Sequence, residues 1–109
     1  PALSVEITVT DGDTVRLGDE RIRLLGIDAP ETHSPACLSE KLLGQLASRR
    51  IGQLLAKGPV TIERHGLDKY RRTLAIVRVG GHDIGAIMVA EGYARPWLGR
   101  KVDWCGGKP

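Results

Sequence analysis

Four polar clusters interrupt the aliphatic patterns of this 109-residue chain, and their residue types are capable of chemistry. Carboxylate oxygens bind hard divalent cations, and a carboxylate beside an ordered water can take its proton. Arginine carries a planar fork of donors that stays charged and suits phosphate oxygens. The clusters are Asp11 with Asp13, Arg23, the Asp-Ala-Pro-Glu-Thr stretch at 28–32, and the Asp-Lys-Tyr-Arg-Arg stretch at 68–72.

Each cluster also has a plain structural interpretation. Asp-Gly suits hairpin turns, and the proline of the 28–32 stretch is typical of turns as well. The Asp-Gly-Asp-Thr stretch does not fit a helix-loop-helix calcium loop, because Val15 and Leu17 stand where oxygen ligands belong. Taken alone, this stretch is weak evidence for a metal site.

Arg23 is harder to explain as a solvated residue. It lies inside the run Arg-Ile-Arg-Leu-Leu-Gly-Ile, where an unpaired arginine would lose its hydration. Strict strand alternation puts Arg23 and Asp28 on opposite faces. The two side chains converge only if Gly26 forms a bulge or the strand ends there.

The elements that must carry these residues follow from periodicity. Leucines and Ile51 at helical spacing predict a long helix, with Ser34 as N-cap, Pro35 in the first turn and an end at Lys-Gly-Pro, 57–59. A short helix is predicted after its cap Asp83, ending at Gly92. Alternation of apolar residues predicts strands at 3–10, 14–17, 21–27, 60–63 and 73–79.

These elements predict a mainly β fold with helices, of the α+β class. The arrangement fits a five-stranded oligonucleotide-binding (OB) barrel, with the long helix between strands 3 and 4 and a short C-terminal helix. The length favours one domain over residues 1–109. The chain lacks phenylalanine, so the core must be aliphatic.

Four stretches of the sequence resemble the staphylococcal nuclease family, also called thermonucleases. They are VTDGDTVRL, IRLLGIDAPET, DKYRRTLAIVRV and IGAIMVAEGYARPW, and the resemblance runs from about Val5 to Trp97. It implies a calcium-dependent nuclease on an OB barrel. Such an enzyme hydrolyses DNA and RNA at the 5′ P–O bond.

The resemblance also implies roles for individual residues. The calcium ligands would be Asp13, Asp28 and the backbone carbonyl of Ala29. Asp11 would support these ligands without binding the metal, and Glu31 would be the general base. The residues that would contact the nucleic acid are Arg23 and Arg72 on the scissile phosphate, Lys69 and Tyr70 on a terminal phosphate, and Trp97 for base stacking.

Two departures from the family pattern stand out. Ala29 replaces a common threonine, which a backbone ligand tolerates, and Arg71 stands where glycine is common. In an extended segment, alternation lets only one of Arg71 and Arg72 enter a pocket. The rival interpretation is a non-catalytic OB module that binds nucleic acid. Retention of all the acids and arginines favours the enzyme.

The cysteines and the charge bear on partners and compartment. Cys37 and Cys105 are either two buried thiols or one disulfide in an exported protein; the polar, glycine-rich tail around Cys105 favours the disulfide. A disulfide would indicate a secreted or periplasmic protein. The net charge of +3 and pI near 9.2 favour a polyanionic partner, DNA or RNA. No apolar segment is long enough to span a membrane. We expect the protein to be a monomer.

Overall fold

The computed structural model describes residues 6–106, which form one mixed sheet, a small two-stranded ribbon and two helices. In chain order the elements are β1 (Ile7–Asp11), β2 (Thr14–Leu17), β3 (Glu20–Leu24), β4 (Ile27–Asp28), α1 (Leu38–Leu55), β5 (Val60–Leu67), β6 (Thr73–Val79), β7 (His82–Asp83), α2 (Ile84–Ala90) and β8 (Arg95–Pro96).

The sheet has the strand order β1-β2-β3-β6-β5, with β7 paired to β6. Strands β1 to β3 form an antiparallel meander, β3 pairs in parallel with β6, and β6 pairs antiparallel with β5. The ribbon consists of β4 and β8. Within the part of the chain that the structure describes, β1 and β5 do not pair with each other. The predicted α+β class, a mainly β fold with one long and one short helix, is confirmed.

One face of the sheet packs against both helices, and the core between them is aliphatic, as predicted. Strand β6 buries every second residue, which is the period expected of a strand with one covered face. The largest fully buried side chains are Ile22, Ile51, Ile84, Met88, Val15 and Val77.

The long helix begins three residues later than predicted. Its N-cap is Cys37, whose Sγ accepts from the backbone N–H of Glu40, and not Ser34. Its buried face also differs from the leucine pattern, because Leu38, Leu42 and Leu46 are exposed. The buried positions are Glu40, Gly44, Ala47, Ile51 and Leu54.

Several strand boundaries also differ from the prediction. The third strand ends at Leu24, and a turn with Gly26 at φ +82° separates it from β4. Strand β5 continues to Leu67, since its backbone pairs with β6 even where its side chains are exposed. Asp83 caps α2 as predicted, through hydrogen bonds from the N–H groups of Gly85 and Ala86. Positions 3–5 of the predicted first strand lie outside the described residues.

Neither helix among residues 6–106 is long and apolar enough to cross a membrane.

Candidate active site

A cleft of about 760 Å³ opens where the β1–β2 turn, the β3–β4 bend, the β5–β6 loop and the C-terminal tail meet. Ala29 is fully buried and does not line it. The other predicted site residues all line this one cleft: Asp11, Asp13, Arg23, Asp28, Glu31, Lys69, Tyr70, Arg72 and Trp97.

The parallel pairing of β3 with β6 brings the two arginine-bearing segments together. Ile22 is the register partner of Thr73, and Arg23 is the partner of Leu74. Arg72, the residue just before β6, therefore lies beside the strand that carries Arg23. Local sequence gives no hint of this pairing, because it joins residues about fifty positions apart.

Arg23 lies between two buried carboxylates. Its guanidinium is 3.6 Å from Asp13 Oδ2 and 3.6 Å from Asp28 Oδ1. The two acids are 6% and 2% exposed, so Arg23 supplies the counter-charge that such burial requires. The turn at Gly26 makes this possible, since it ends β3 and turns Asp28 back toward the face that carries Arg23.

Asp13 is held by a backbone N–H just after β4 and by the hydroxyl of its neighbour Thr14. The N–H of Ala29 donates to Asp13 Oδ2 at 2.8 Å, and the Thr14 hydroxyl donates to Oδ1 at 2.9 Å. Burial raises the pKa of the Asp13 carboxyl, and the neighbouring Asp28 carboxylate raises it further; Arg23 and these hydrogen bonds only partly offset the effect. An additional cation would therefore stabilise the ionised form.

Glu31 is positioned by a buried acid that the sequence prediction missed. Glu40 Oε2 accepts from the N–H of Glu31 at 3.1 Å, and Oε1 accepts from the N–H of Ala36 at 2.8 Å. One buried carboxylate on α1 thus fixes both ends of the loop that follows β4. Its burial had a signal in the sequence, because Glu40 shares a helical face with Gly44, Ala47 and Ile51.

Asp11 contacts the same loop from the other side. Its Oδ1 accepts from the Thr32 hydroxyl at 2.6 Å and from the Thr32 N–H at 3.1 Å. Asp11 therefore fixes the residue next to Glu31.

The β5–β6 loop presents Arg72 through Asp68. Asp68 Oδ2 accepts from Arg72 Nε at 2.8 Å, and Oδ1 accepts from the N–H groups of Tyr70 and Arg72. Burial alone would raise the pKa of the Asp68 carboxyl, but these hydrogen bonds outweigh it and lower the pKa. The Tyr70 ring lies 5.3 Å from Arg72 Cζ and 5.2 Å from Lys69 Nζ.

Arg71 does not lie in an extended segment. Its φ of +64° is in the left-handed region, which costs a residue with a Cβ roughly 1–2 kcal/mol. The strand alternation predicted for the Arg71-Arg72 pair therefore does not apply. The two side chains differ in direction because the backbone turns at Arg71. Arg72 lines the cleft and Arg71 does not.

Comparison of the sequence with known proteins places this chain in a family. Residues 21–102 match the family model described as "Staphylococcal nuclease homologue". The chain belongs to the staphylococcal nuclease homologue family. The resemblance inferred from the four motifs is thereby confirmed.

Three relatives illustrate the match. The thermonuclease of Staphylococcus intermedius is 39% identical over 93 residues, covering 80% of this chain and 55% of that protein. The micrococcal nuclease of Shigella flexneri is 34% identical, covering 89% and 60%. An uncharacterized endonuclease of Haemophilus influenzae is 32% identical, covering 81% and 48%. The chain thus spans about half the length of the relatives it matches.

In this member of the nuclease family, the C-terminal tail enters the cleft. The N–H of Val102 donates to Asp28 Oδ2 at 2.9 Å, and Lys101 Nζ lies 2.9 Å from Glu31 Oε2. Burial alone would lower the pKa of the Lys101 amine, but the hydrogen bond to Glu31 and the nearby acids raise it. No role was predicted for Lys101 from the sequence.

Cys37 and Cys105, 68 positions apart, are joined in a disulfide that ties this tail to the start of α1. Trp97 flanks the tail at the cleft mouth, where its ring centroid is 6.0 Å from Arg23 Cζ. The backbone N–H of Trp97 also donates to the carbonyl of Gly26, at the β3–β4 bend.

The acids of this nuclease fold do not meet side chain to side chain. Among residues 6–106, no three His, Cys, Asp or Glu side chains converge closely enough to hold a metal without rearrangement. Arg23 and Lys101 are interposed between the carboxylates instead.

Proposed function

We propose that this chain is a calcium-dependent nuclease that hydrolyses phosphodiester bonds of DNA or RNA at the 5′ P–O bond. The observation that carries the proposal is the single cleft in which two buried carboxylates, Asp13 and Asp28, flank Arg23 while Arg72 approaches from β6. The relatives named as nucleases support it.

The donor set fits calcium. Asp13 and Asp28 line the cleft and would supply hard oxygen ligands, the type that calcium takes in sets of six to eight with water completing the shell. The family resemblance adds the carbonyl of Ala29, a residue buried behind the cleft lining. Asp13 in particular would gain from a cation, because burial raises its pKa. When bound, calcium would neutralise charge on the phosphate and polarise water near it.

The chain's own residues supply the rest of the reaction. Arg23 and Arg72 bind the scissile phosphate and stabilise the charge that grows on its oxygens as water attacks. Glu31 accepts the proton of that water once its carboxylate is free of Lys101. The leaving 5′ oxygen departs as an alcohol after taking a proton from solvent.

Outer positions of the cleft would hold the rest of the substrate. Lys69 and Tyr70 bind a terminal phosphate, and the exposed Trp97 ring offers a face on which a base can stack. Asp11 acts indirectly by fixing the loop that carries Glu31. We propose that these residues work within one domain and as a monomer.

Digestion of supercoiled plasmid and of RNA, with added calcium and with excess chelator, tests the proposal. We expect cleavage with calcium and none with chelator; magnesium should support little turnover because it holds its waters in stricter geometry. Full activity in chelator would exclude the calcium mechanism. Tight binding without any cleavage would favour the non-catalytic binding module.

A further inference from the structure

The ammonium of Lys101 lies in the middle of the acidic side of the cleft. It is 2.9 Å from Glu31 Oε2, 3.9 Å from Asp28 Oδ1 and 3.9 Å from Glu40 Oε2. Three acids, two from the 28–32 stretch and one from α1, thus share one internal cation. Its neighbour Arg100 is exposed and does not line the cleft.

The tail delivers Lys101 to this position by several contacts. Val102 donates its N–H to Asp28 Oδ2, so that Lys101 and Val102 together approach both oxygens of Asp28. Three residues further on, Cys105 is linked to Cys37, at the start of the helix that carries Glu40. The contact is therefore part of the fold and not the chance position of a long side chain.

We propose that Lys101 is an internal cation that competes with calcium for Asp28 while it pairs with Glu31, and so sets the metal affinity of the site. The inference rests on the proposed function, in which Asp28 is a calcium ligand and Glu31 the general base. Calcium binding then requires the ammonium to withdraw.

Electrostatics and geometry both indicate that Lys101 weakens calcium binding. A divalent ion bound at Asp28 and an ammonium 3.9 Å from the same carboxylate repel one another. The Lys101 side chain is 49% exposed, on a stem of four flexible carbons, so it can swing into solvent without disturbing the core. While it stays, it also occupies the Glu31 oxygen that must accept a proton.

Calcium titration calorimetry on four proteins tests this: wild type, Lys101→Met, Lys101→Arg and Arg100→Met. Lys101→Met removes the charge and keeps most of the stem, and Arg100→Met makes the same charge change one residue away. We expect Lys101→Met to bind calcium roughly tenfold more tightly, the scale for a unit charge close to a divalent ion in water. Arg100→Met and Lys101→Arg should stay close to wild type.

Melting curves supply a second readout that needs no activity. In chelator, Lys101→Met should melt below wild type, because three acids lose their shared cation. In saturating calcium the difference should vanish or reverse. A purely structural lysine would instead give the same destabilisation in both conditions.

Equal calcium affinity in wild type and Lys101→Met, or weaker binding by Lys101→Met, would overturn the inference while leaving the proposed function intact. Absence of calcium binding in all four proteins would overturn both, and the plasmid assay then shows separately whether any nuclease activity exists. Equal tightening by Arg100→Met would reduce the effect to net charge and also overturn the inference.

Discussion

Arg71 and Arg72 carry the same charge next to each other in the chain, yet their surroundings differ. Arg72 is fixed by Asp68 through its side chain and its backbone N–H, and it lines the cleft. Arg71 has a positive φ and lies outside the cleft lining. Their charges are equivalent, but only Arg72 lines the cleft.

We expect Arg72→Ala to lower kcat by roughly 10³-fold or more, the scale for arginines that stabilise a transferring phosphate. Arg71→Ala should mainly weaken binding and reduce the salt dependence of affinity by about one phosphate contact. Steady-state kinetics and salt titrations on both variants, with melting curves to exclude unfolding, make the comparison. Loss of turnover in Arg71→Ala alone would show that the two roles are reversed.

Glu31→Gln isolates the proposed general base. The amide keeps the shape of the side chain but cannot take a proton, so we expect kcat to fall by about 10²- to 10⁴-fold. Glu31 lies in a loop, and its backbone N–H still binds Glu40, so the melting temperature should hardly change. An unchanged kcat in the folded variant would remove Glu31 from the mechanism.

At the scale of elements, α1 packs at Gly44 against the backbone of Pro30 and Glu31. A Cβ at Gly44 would lie 2.9 Å from backbone atoms of Glu31 and Pro30, whereas at Gly52 the nearest atom is Val9 Cγ2 at 3.8 Å. Both glycines are helical, and each lowers helix propensity by about 1 kcal/mol relative to alanine. Only Gly44 has a packing reason to be glycine.

Alanine at these two positions should therefore act in opposite directions. We expect Gly44→Ala to destabilise the protein by roughly 1–3 kcal/mol, because backbone must move to accept the methyl group. Gly52→Ala should stabilise it by up to about 1 kcal/mol. Urea unfolding of both variants gives the two values, and activity should fall only in Gly44→Ala. Equal effects at the two positions would contradict the proposed contact.

Glu20 joins three strands and gives the fold a pH dependence. Hydrogen bonds from Arg64 and Thr73 lower the pKa of the Glu20 carboxyl to about 2 from an ordinary 4.5. Because the folded-state pKa is depressed, the stabilisation is present above pH 4.5 and is lost as the pH falls toward 2.

Glu20→Gln should therefore lower the melting temperature at neutral pH and flatten its decline over this acidic range. The exposed Glu6 serves as the control site, since Glu6→Gln should leave the profile as it is. Arg64 is half exposed, so added salt should weaken the effect. Parallel profiles for wild type and Glu20→Gln would exclude the contribution.

An element can be predicted from sequence when the interactions that define it lie within a few residues of it in the chain. Strand β2 and helix α2 with its cap Asp83 were predicted well, because alternation and capping are local signals. The buried face of α1 was not, since small residues such as Ala47 let the helix approach the sheet closely while leucines remain exposed. Strand β8 was missed because two residues carry no period.

At the scale of the whole molecule, the site residues that lie in local motifs were predicted, and those that reach the site through tertiary contacts were not. The motifs identified residues that do line one cleft, and Arg23 stood out because a buried charge needs partners. Lys101 and Glu40 reach Glu31 only through the tertiary fold, from positions 70 and 9 residues away in the chain. No local pattern could have predicted the ion pair between Lys101 and Glu31.

The disulfide should contribute strongly to stability. Closing the loop between Cys37 and Cys105, which have a sequence separation of 68, is worth roughly 4 kcal/mol in the chain-entropy model. We expect reductant, or the double change to serine, to lower the melting temperature by roughly 15–20 °C, since about 1 kcal/mol shifts a domain of this size by about 4 °C. Intact-mass measurement after alkylation without reductant should find no modified cysteine; two modified cysteines would rule the bond out.

The same bond divides the polypeptide into a covalent ring, residues 37–105, an N-terminal arm, residues 1–36, and a short segment after the ring, residues 106–109. The arm carries the acids Asp13, Asp28 and Glu31, and the ring carries Arg72 and Lys101. A single proteolytic nick anywhere in the ring therefore releases no fragment, since both pieces stay attached through sulfur. Held at high local concentration, the nicked pieces can remain docked. A non-reducing gel would show one intact band while a reducing gel shows two.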